Sequence, residues 1–329
     1  MTETLTWGIL STARINRKLI PAIRAARYAT LIGIASRSKE RAEAYAQEHG
    51  IPRFYGSYEE MLADPKLDCL YNPLPNSMHK DWTIRALRAG KHVLCEKPFT
   101  KNAAEAEEVT AVADETGKIV MEGFMYRFHP QWERARAIVG DGDLGALRMI
   151  RAEFAFHLTD LANIRLRKEL AGGALMDVGC YCLNACRQIT QAEPVWVDAT
   201  ADFGEQSGVD ETMVAIMRFP DDVVCELNCS FTTCYRHSLD IIGTDAQLRL
   251  THPWTPGPDL TTELILNEND GIETIGIPPA DQYALEVEHF CRAVSGEEPL
   301  RWGPGDAVLQ MRAMDALSES AKGLGRVTL

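Results

Sequence analysis

Apolar positions along the first 123 residues fall into short blocks that alternate between two periods. Leu5–Leu10 is a compact run of strand length, and Ile15–Ala26 follows with Leu19, Ile23 and Ala26 at helical spacing. The same alternation continues with strand candidates Thr30–Ala35, Arg53–Tyr55, Leu67–Asn72, His92–Cys95 and Lys118–Glu122. Between them lie helical segments Lys39–His49, Tyr58–Ala63, Ser77–Ala89 and Ala103–Thr116, with Gly50, Gly90 and Gly117 where helix stops belong. This βαβαβ rhythm predicts a doubly wound parallel sheet over residues 1–123.

The pattern changes after residue 123. Pro130–Val139 reads as a helix, Met149–Phe156 as a half-buried strand, and Gly172–Gln188 as an almost wholly apolar helix. Period-two alternation then marks strands at Trp196–Ala201, Glu211–Phe219, Val223–Phe231, Ser238–Gly243 and Gln247–Thr251. Pro220-Asp221-Asp222 is a hairpin turn signal. These elements predict a second α+β domain over 124–329 with an open, mostly antiparallel sheet. His252–Ala280, rich in Pro, Gly and Thr, is expected to be mainly loop. Asp281–Ser295 and Gly305–Lys322 read as closing helices, expected to pack back toward the first domain or along the interface.

Composition narrows the partners. A net charge of −13 argues against nucleic acid and anionic membrane surfaces, both of which need a basic footprint. No run of about 20 apolar residues occurs, so no membrane span is expected. MTETLTWGIL lacks the basic and apolar regions of a signal peptide. The nine cysteines show no CxxC pair and no zinc spacing, and several sit inside apolar runs. They read as reduced core thiols of a cytoplasmic protein, with no metal site.

Three places carry candidate chemistry. The strand ending in Glu96-Lys97-Pro98 sets a cation at the carboxyl edge of the parallel sheet, where open α/β sheets bind ligands. The turn Gly8-Ile9-Leu10-Ser11-Thr12-Ala13-Arg14 lies between the first strand and first helix. It is either a plain helix cap or a phosphate-binding turn in which small residues admit a pyrophosphate and Arg14 adds charge. At the end of the second strand stand Ser36 and Arg37, where NAD-specific folds carry a carboxylate. A hydroxyl and a guanidinium there suit the 2′-phosphate of NADP, or else Arg37 is a solvated loop residue. Asp177, Tyr181 and Asn184 recur at i, i+4 and i+7 on the apolar helix. They are either a mutually satisfied buried set or a proton-transfer group, because a nearby cation lowers the cost of a phenolate.

Leu70–Phe99 with its Glu-Lys-Pro step, Glu122–Pro130 and Gly172–Asn184 together resemble the Gfo/Idh/MocA oxidoreductase family. The resemblance covers the whole length. It is strongest to the branch of dihydrodiol dehydrogenases, NADP-dependent xylose dehydrogenases and sugar–sugar oxidoreductases. It implies a Rossmann domain, a second α/β domain whose open sheet makes a homodimer or homotetramer, and an active site between the two. It places Gly8, Ser11, Thr12, Ala13, Arg14, Ser36, Arg37, Pro73, Asn76, His79, Glu96 and Lys97 in the cofactor groove. Lys97, Tyr181 and Asp177 become the catalytic set, with Arg127, His129 and Arg165 toward the substrate. Tyr181 stands where many members carry histidine, and the phosphate turn lacks the family's usual glycines. The implied activity is NADP(H)-dependent hydride transfer to or from a carbinol carbon of an aldose or cyclic polyol. Alternatives are trans-dihydrodiol oxidation, a sugar–sugar oxidoreductase that retains its NADP(H), and a cofactor-binding sensor without turnover.

Overall fold

The computed structural model describes residues 4–268 and 271–329. The chain forms two compact units, one of Met1–Met125 with Gln282–Val308 and the other of Tyr126–Asp281 with Leu309–Leu329.

The first unit alternates strand and helix: β1 (Leu5–Leu10), α1 (Asn16–Ala25), β2 (Ala29–Ala35), α2 (Lys39–His49), β3 (Arg53–Tyr55), α3 (Tyr58–Leu62), β4 (Cys69–Asn72), α4 (His79–Arg88), β5 (His92–Glu96), α5 (Ala103–Thr116) and β6 (Val120–Gly123). The sheet order is β3-β2-β1-β4-β5-β6, and every pairing is parallel. The order reverses at β1, so the carboxyl ends of β1 and β4 border the crevice where such sheets take ligands. Trp7, Ile9, Leu70 and Leu94 are fully buried, which is why these strands read as continuous apolar runs rather than alternating ones. The late helix α8 (Gln282–Val294) belongs to this unit and packs on α1, and its Phe290 ring lies 5.4 Å from that of Trp7.

Helix ends follow local chemistry. Ser38 opens α2 by accepting the Arg41 N–H (3.2 Å), and Asn102 opens α5 by accepting that of Glu105 (2.9 Å). Gly50 and Gly117 close them in the left-handed region, at φ 59° and 62°. Helix α1 has no capping side chain and no acidic residue in its first turn.

The second unit holds α6 (Pro130–Gly140), β7 (Leu147–Ala155), α7 (Cys180–Thr190), β8 (Trp196–Phe203), β9 (Asp210–Arg218), β10 (Val224–Ser230), β11 (Arg236–Gly243), β12 (Ala246–Leu250), β13 (Thr262–Glu268) and β14 (Gly271–Ile277). The C-terminal helix α9 (Pro304–Glu319) runs from the first unit into the second, and β15 (Val327–Thr328) ends the chain's strands. The nine-stranded order is β14-β13-β12-β11-β7-β10-β9-β8-β15. Every pairing is antiparallel except β7–β10, which is parallel. Helix α7 covers one face over β7 and β10. Met213, Ala215 and Met217 of β9 point to that side and are buried, while Val214 and Ile216 face outward at 36% and 49% exposure. Around them Arg151 pairs with Glu226, and Arg249 with Asp240.

Two expectations need correction. His252–Ala280 is not mainly loop, because it contains the β13–β14 hairpin. The alternation is present in Leu264 and Leu266, which are buried, but β14 is an edge strand exposed at most positions, and its Gly-Ile-Glu-Thr-Ile-Gly-Ile run does not alternate strictly. The apolar helix at Gly172–Gln188 is also not uniform. It begins with a wider π turn, Leu175–Gly179, before α7 starts at Cys180.

Candidate functional site

In the first unit the site is built around the turn that follows β5. Four buried groups hold it. Glu122, at the end of β6, accepts the Phe99 N–H at 2.8 Å. The His79 ring places Nδ1 2.8 Å from the Pro98 carbonyl oxygen and Nε2 2.7 Å from that of Leu74. The fully buried Tyr71 phenol donates to the Glu96 carboxylate. Cys95 Sγ sits 3.8 Å from the Phe99 carbonyl oxygen. The Lys97–Pro98 peptide is cis. Lys97 itself is half-buried at the top of this support. Burial holds the His79 imidazole below its ordinary value, against the raising pull of the two carbonyls, and the neighbouring Lys97 lowers it further. A neutral ring donates from one nitrogen only.

Several groove positions thus act from beneath. His79 is 1% exposed with both nitrogens at backbone carbonyls, so it is a brace for the turn rather than a groove wall. Gly8 and Pro73 are also buried. A Cβ on Gly8 would lie 2.9 Å from Leu70 Cδ2, so this glycine serves packing between β1 and β4.

The turn after β1 is the candidate phosphate-binding turn. Ser11 has φ 83°, the left-handed conformation that usually calls for glycine. Its N–H donates to Ala35 O (3.0 Å), and its carbonyl accepts from the buried Asn16 side chain (2.9 Å). Thr12 and Ala13 are half-exposed and Arg14 is exposed, just before the uncapped first turn of α1. Ser36 is buried at the end of β2, and Arg37 is exposed beside it. Burial raises the Tyr58 phenol, and the charges of Arg37 and Arg41 act against it. Asn76 is half-buried in the short turn after β4. A cavity of about 550 Å³ opens at the opposite edge, lined by Leu5, Asp68, Lys91, His92 and Lys118 at the amino ends of the strands, away from Lys97.

In the second unit Asp177 lies in the π turn and accepts from Arg165 Nε at 2.5 Å. Arg165 comes from the loop at Ile164–Leu166. Tyr181 is 5% exposed within an aromatic layer, its ring centroid 5.5 Å from Phe154, 5.7 Å from Tyr126 and 6.0 Å from Trp254.

Arg127 and His129 sit elsewhere than expected. Arg127 is 1% exposed and donates from Nε to Asn184 Oδ1 at 2.8 Å. Asn184 also accepts from the Tyr126 hydroxyl and donates to Gln310 Oε1 (3.0 Å), which Arg187 Nη1 joins at 3.1 Å. This is an internal network, and it occupies the Asn184 amide. His129 is fully buried and caps α6, with Nδ1 accepting the Gln131 N–H (3.2 Å). Burial pushes its pKa down to about 4, which keeps it a neutral cap.

Asp210 is the residue that sequence reasoning missed. From the first position of β9 it accepts the Leu175 N–H at 2.6 Å. Its partner is 35 residues away, and no local spacing announces the contact. Burial raises its carboxyl to about 6. Tyr71 and Glu122 were likewise overlooked because they act through the turn rather than at its surface.

Among the described residues, no group of three or more His, Cys, Asp or Glu side chains is placed to hold a metal ion. No described helix is long and apolar enough to cross a membrane.

A parallel sheet in this order, with the candidate turn after β1, is a dinucleotide-binding fold. Comparison with known proteins agrees. Residues 5–124 match the model of the oxidoreductase family with an NAD-binding Rossmann fold, and residues 132–249 match the Gfo/Idh/MocA C-terminal domain. The chain belongs to the Gfo/Idh/MocA oxidoreductase family. It is 40% identical over 318 residues to a D-xylose 1-dehydrogenase (NADP(+)) of Haloferax volcanii, covering 96% of this chain and 97% of the relative. It is 33% identical over 265 residues to the human trans-1,2-dihydrobenzene-1,2-diol dehydrogenase, covering 80% and 78%. A crystal structure of a 3-ketoreductase from Actinomadura kijaniata, in complex with NADP and TDP-benzene, superposes with a TM-score of 0.92 at 30% identity, covering 97% and 98%.

Two tests follow from these geometries. Replacing Ser11 with Gly relieves the left-handed strain and should stabilise the fold by about 1 kcal/mol in urea unfolding. Asp210 titrates near 3.8 when unfolded and at about 6 when folded, so the native state holds the extra proton between these values. Its contribution to stability is complete below pH 3.8 and is lost as pH rises through about 6. The two-unit shift corresponds to about 3 kcal/mol. Asp210→Asn should therefore be more stable than wild type above pH 7, by up to that amount, with the difference shrinking toward pH 4 in denaturant titrations.

Proposed function

We propose that the protein is an NADP(H)-dependent oxidoreductase that moves a hydride between the cofactor and a carbinol or carbonyl carbon of a sugar, an aldose or related cyclic polyol. The observation that carries this reading is Lys97, a half-buried cation presented at the carboxyl end of β5 by a turn held by buried side chains. The NADP-linked xylose dehydrogenase and the NADP-bound 3-ketoreductase among its relatives support the cofactor and the substrate class.

The residues fit NADP. The first turn of α1 has no acid, and its Asn16, Arg17 and Lys18 amides turn back on the carbonyls of Ala13, Arg14 and Ile15, so a pyrophosphate would be received by the turn before it, at Ser11, Thr12, Ala13 and Arg14. Ser36 and Arg37 hold the 2′-phosphate, and Arg41 adds charge. Pro73 and Asn76 shape the groove after β4, while Gly8, His79 and Glu96 support it from within. When bound, the nicotinamide ring supplies the hydride acceptor or donor.

In the oxidation direction Tyr181 takes the hydroxyl proton of the carbinol. A phenol titrates near 10 in water, and apolar surroundings disfavour its anion, so this role needs a cation. Lys97 fills that role and also binds the cofactor's ribose. Asp177, already charge-paired with Arg165, accepts a sugar hydroxyl and orients the substrate. Proton transfer of this type contributes about 10²- to 10⁴-fold.

A second reading, oxidation of a cyclic trans-dihydrodiol, is favoured by the aromatic layer of Tyr126, Phe154 and Trp254 around Tyr181 and by the dihydrodiol dehydrogenase relatives. The outward face of the nine-stranded sheet, with Val214 and Ile216 exposed amid paired charges, supports a homo-oligomer. The buried thiols, several pushed above their ordinary range by burial, support a cytoplasmic setting.

NADPH or NADP⁺ turnover against a panel of aldoses, polyols and cyclic diols tests the reading. Tyr181→Phe and Lys97→Ala should each lower kcat by about a hundredfold or more while leaving the circular dichroism spectrum unchanged. Wild-type turnover in both variants would defeat the assignment. Arg37→Ala should weaken NADPH about tenfold and leave NADH unaffected, as for loss of one charged hydrogen bond.

A further inference from the structure

We propose that Asp210 is a positioning residue, which from the first position of β9 sets the π turn carrying Asp177 and thereby the Arg165–Asp177 pair. The inference rests on the catalytic reading above.

The contacts close a ring. Ala174, which precedes the π turn, offers no side-chain cap of its own, and the cap comes instead from Asp210 Oδ2 on the Leu175 N–H at 2.6 Å. Gly173 has φ 128°, and a Cβ there would lie 2.2 Å from Asp210 Oδ1, so the carboxylate sits directly against that backbone. The Gly173 N–H donates to the Arg165 carbonyl oxygen at 2.9 Å, and the Gly173 carbonyl accepts the Asp177 N–H at 3.0 Å. A Cβ on Gly172 would lie 2.2 Å from the same Arg165 carbonyl oxygen, so the loop and the turn are in close backbone contact. Arg165 Nε then reaches Asp177 Oδ2 at 2.5 Å. One carboxylate on a strand thus touches the two-residue hinge through which both members of the ion pair are placed.

Against burial, the charge is favoured by backbone N–H bonds, those of Leu175 and Ala174 among them, and by Lys322 near the C-terminus, and it acts in turn on Cys229 of β10. A carboxylate whose burial opposes ionisation is retained at the N-terminus of the helix that bears the proposed acid–base residues. An anion in that place also favours the helix by its dipole.

The test compares wild type, Asp210→Ala, Asp210→Asn and Tyr181→Phe as full-length proteins. For Asp210→Ala the expected results are NADPH affinity within about twofold of wild type, kcat lower by about tenfold to a hundredfold, and faster exchange of the Leu175 amide by about tenfold. Asp210→Asn keeps an acceptor and should recover most of kcat. A folded Asp210→Ala with a deprotected Leu175 amide and wild-type kcat makes Asp210 a structural cap only and overturns the proposal. Turnover lost in Tyr181→Phe but kept in Asp210→Ala sinks this inference alone, whereas wild-type turnover in Tyr181→Phe sinks the catalytic reading. Exchange of the Arg165 Nε–H, followed by NMR in the same variants, reports the ion pair without any substrate. Its protection should fall in Asp210→Ala and return in Asp210→Asn, and unchanged protection in both contradicts the proposal. If Asp210→Ala does not fold, Asp210→Glu keeps the charge on a longer arm and should lower both kcat and the Nε–H protection. Wild-type values for both in that variant overturn the proposal.

Discussion

A lysine can serve a nucleotide groove only if its backbone cannot drift, and here that constraint is met by polar groups hidden below the turn. Glu122, His79 and Tyr71 each come from a different strand or helix of the parallel sheet, and each engages one residue of Glu96–Phe99. Buried hydrogen bonds of this kind are costly to leave unmade, so the turn has one favourable arrangement rather than several. Burial and the neighbouring Lys97 disfavour the charged His79 ring, while the Pro98 and Leu74 carbonyls at its two nitrogens favour it, with burial the larger effect. The rest of the first unit serves the same edge. The reversal of strand order at β1 opens the crevice, and the turn through the strained Ser11 borders it.

The second unit uses a different device. Its acid–base candidates sit where a π turn meets α7, and the wider turn changes the phase between Asp177 and the residues beyond it. Asn184, one helical turn past Tyr181, is drawn into a network with Tyr126, Arg127 and Gln310. Asp177 turns instead to Arg165. Tyr181 is left among aromatic rings, which fix its orientation and exclude water.

Local patterns were legible where each residue's role depends on near neighbours. The apolar blocks and glycine stops of the first 123 residues announced the parallel sheet, and Glu96-Lys97-Pro98 marked the carboxyl end of β5. Alternation in Glu211–Phe219 and Val223–Phe231 announced the β9–β10 hairpin. Roles set by distant partners were not legible. His129 and Arg127 lie in a motif of aromatic and basic residues that looks exposed, and only the packing of α6 and α7 reveals them as a cap and a core arginine. Gly8 looks like a phosphate glycine by position but is required by Leu70 on the neighbouring strand. Asp210 follows a turn in a polar stretch, and its contact with Leu175 exists only in three dimensions. The β14 edge strand escaped because an exposed edge need not alternate.

The most direct test of the central claim is a crystal structure of the protein with NADP⁺. The account predicts the 2′-phosphate against Ser36 and Arg37, the pyrophosphate at the Ser11–Ala13 turn, and the Lys97 ammonium within hydrogen-bond reach of the ribose beside the nicotinamide. A dinucleotide bound elsewhere, or a Lys97 side chain turned away from that ribose with the Glu96–Phe99 turn intact, would contradict it.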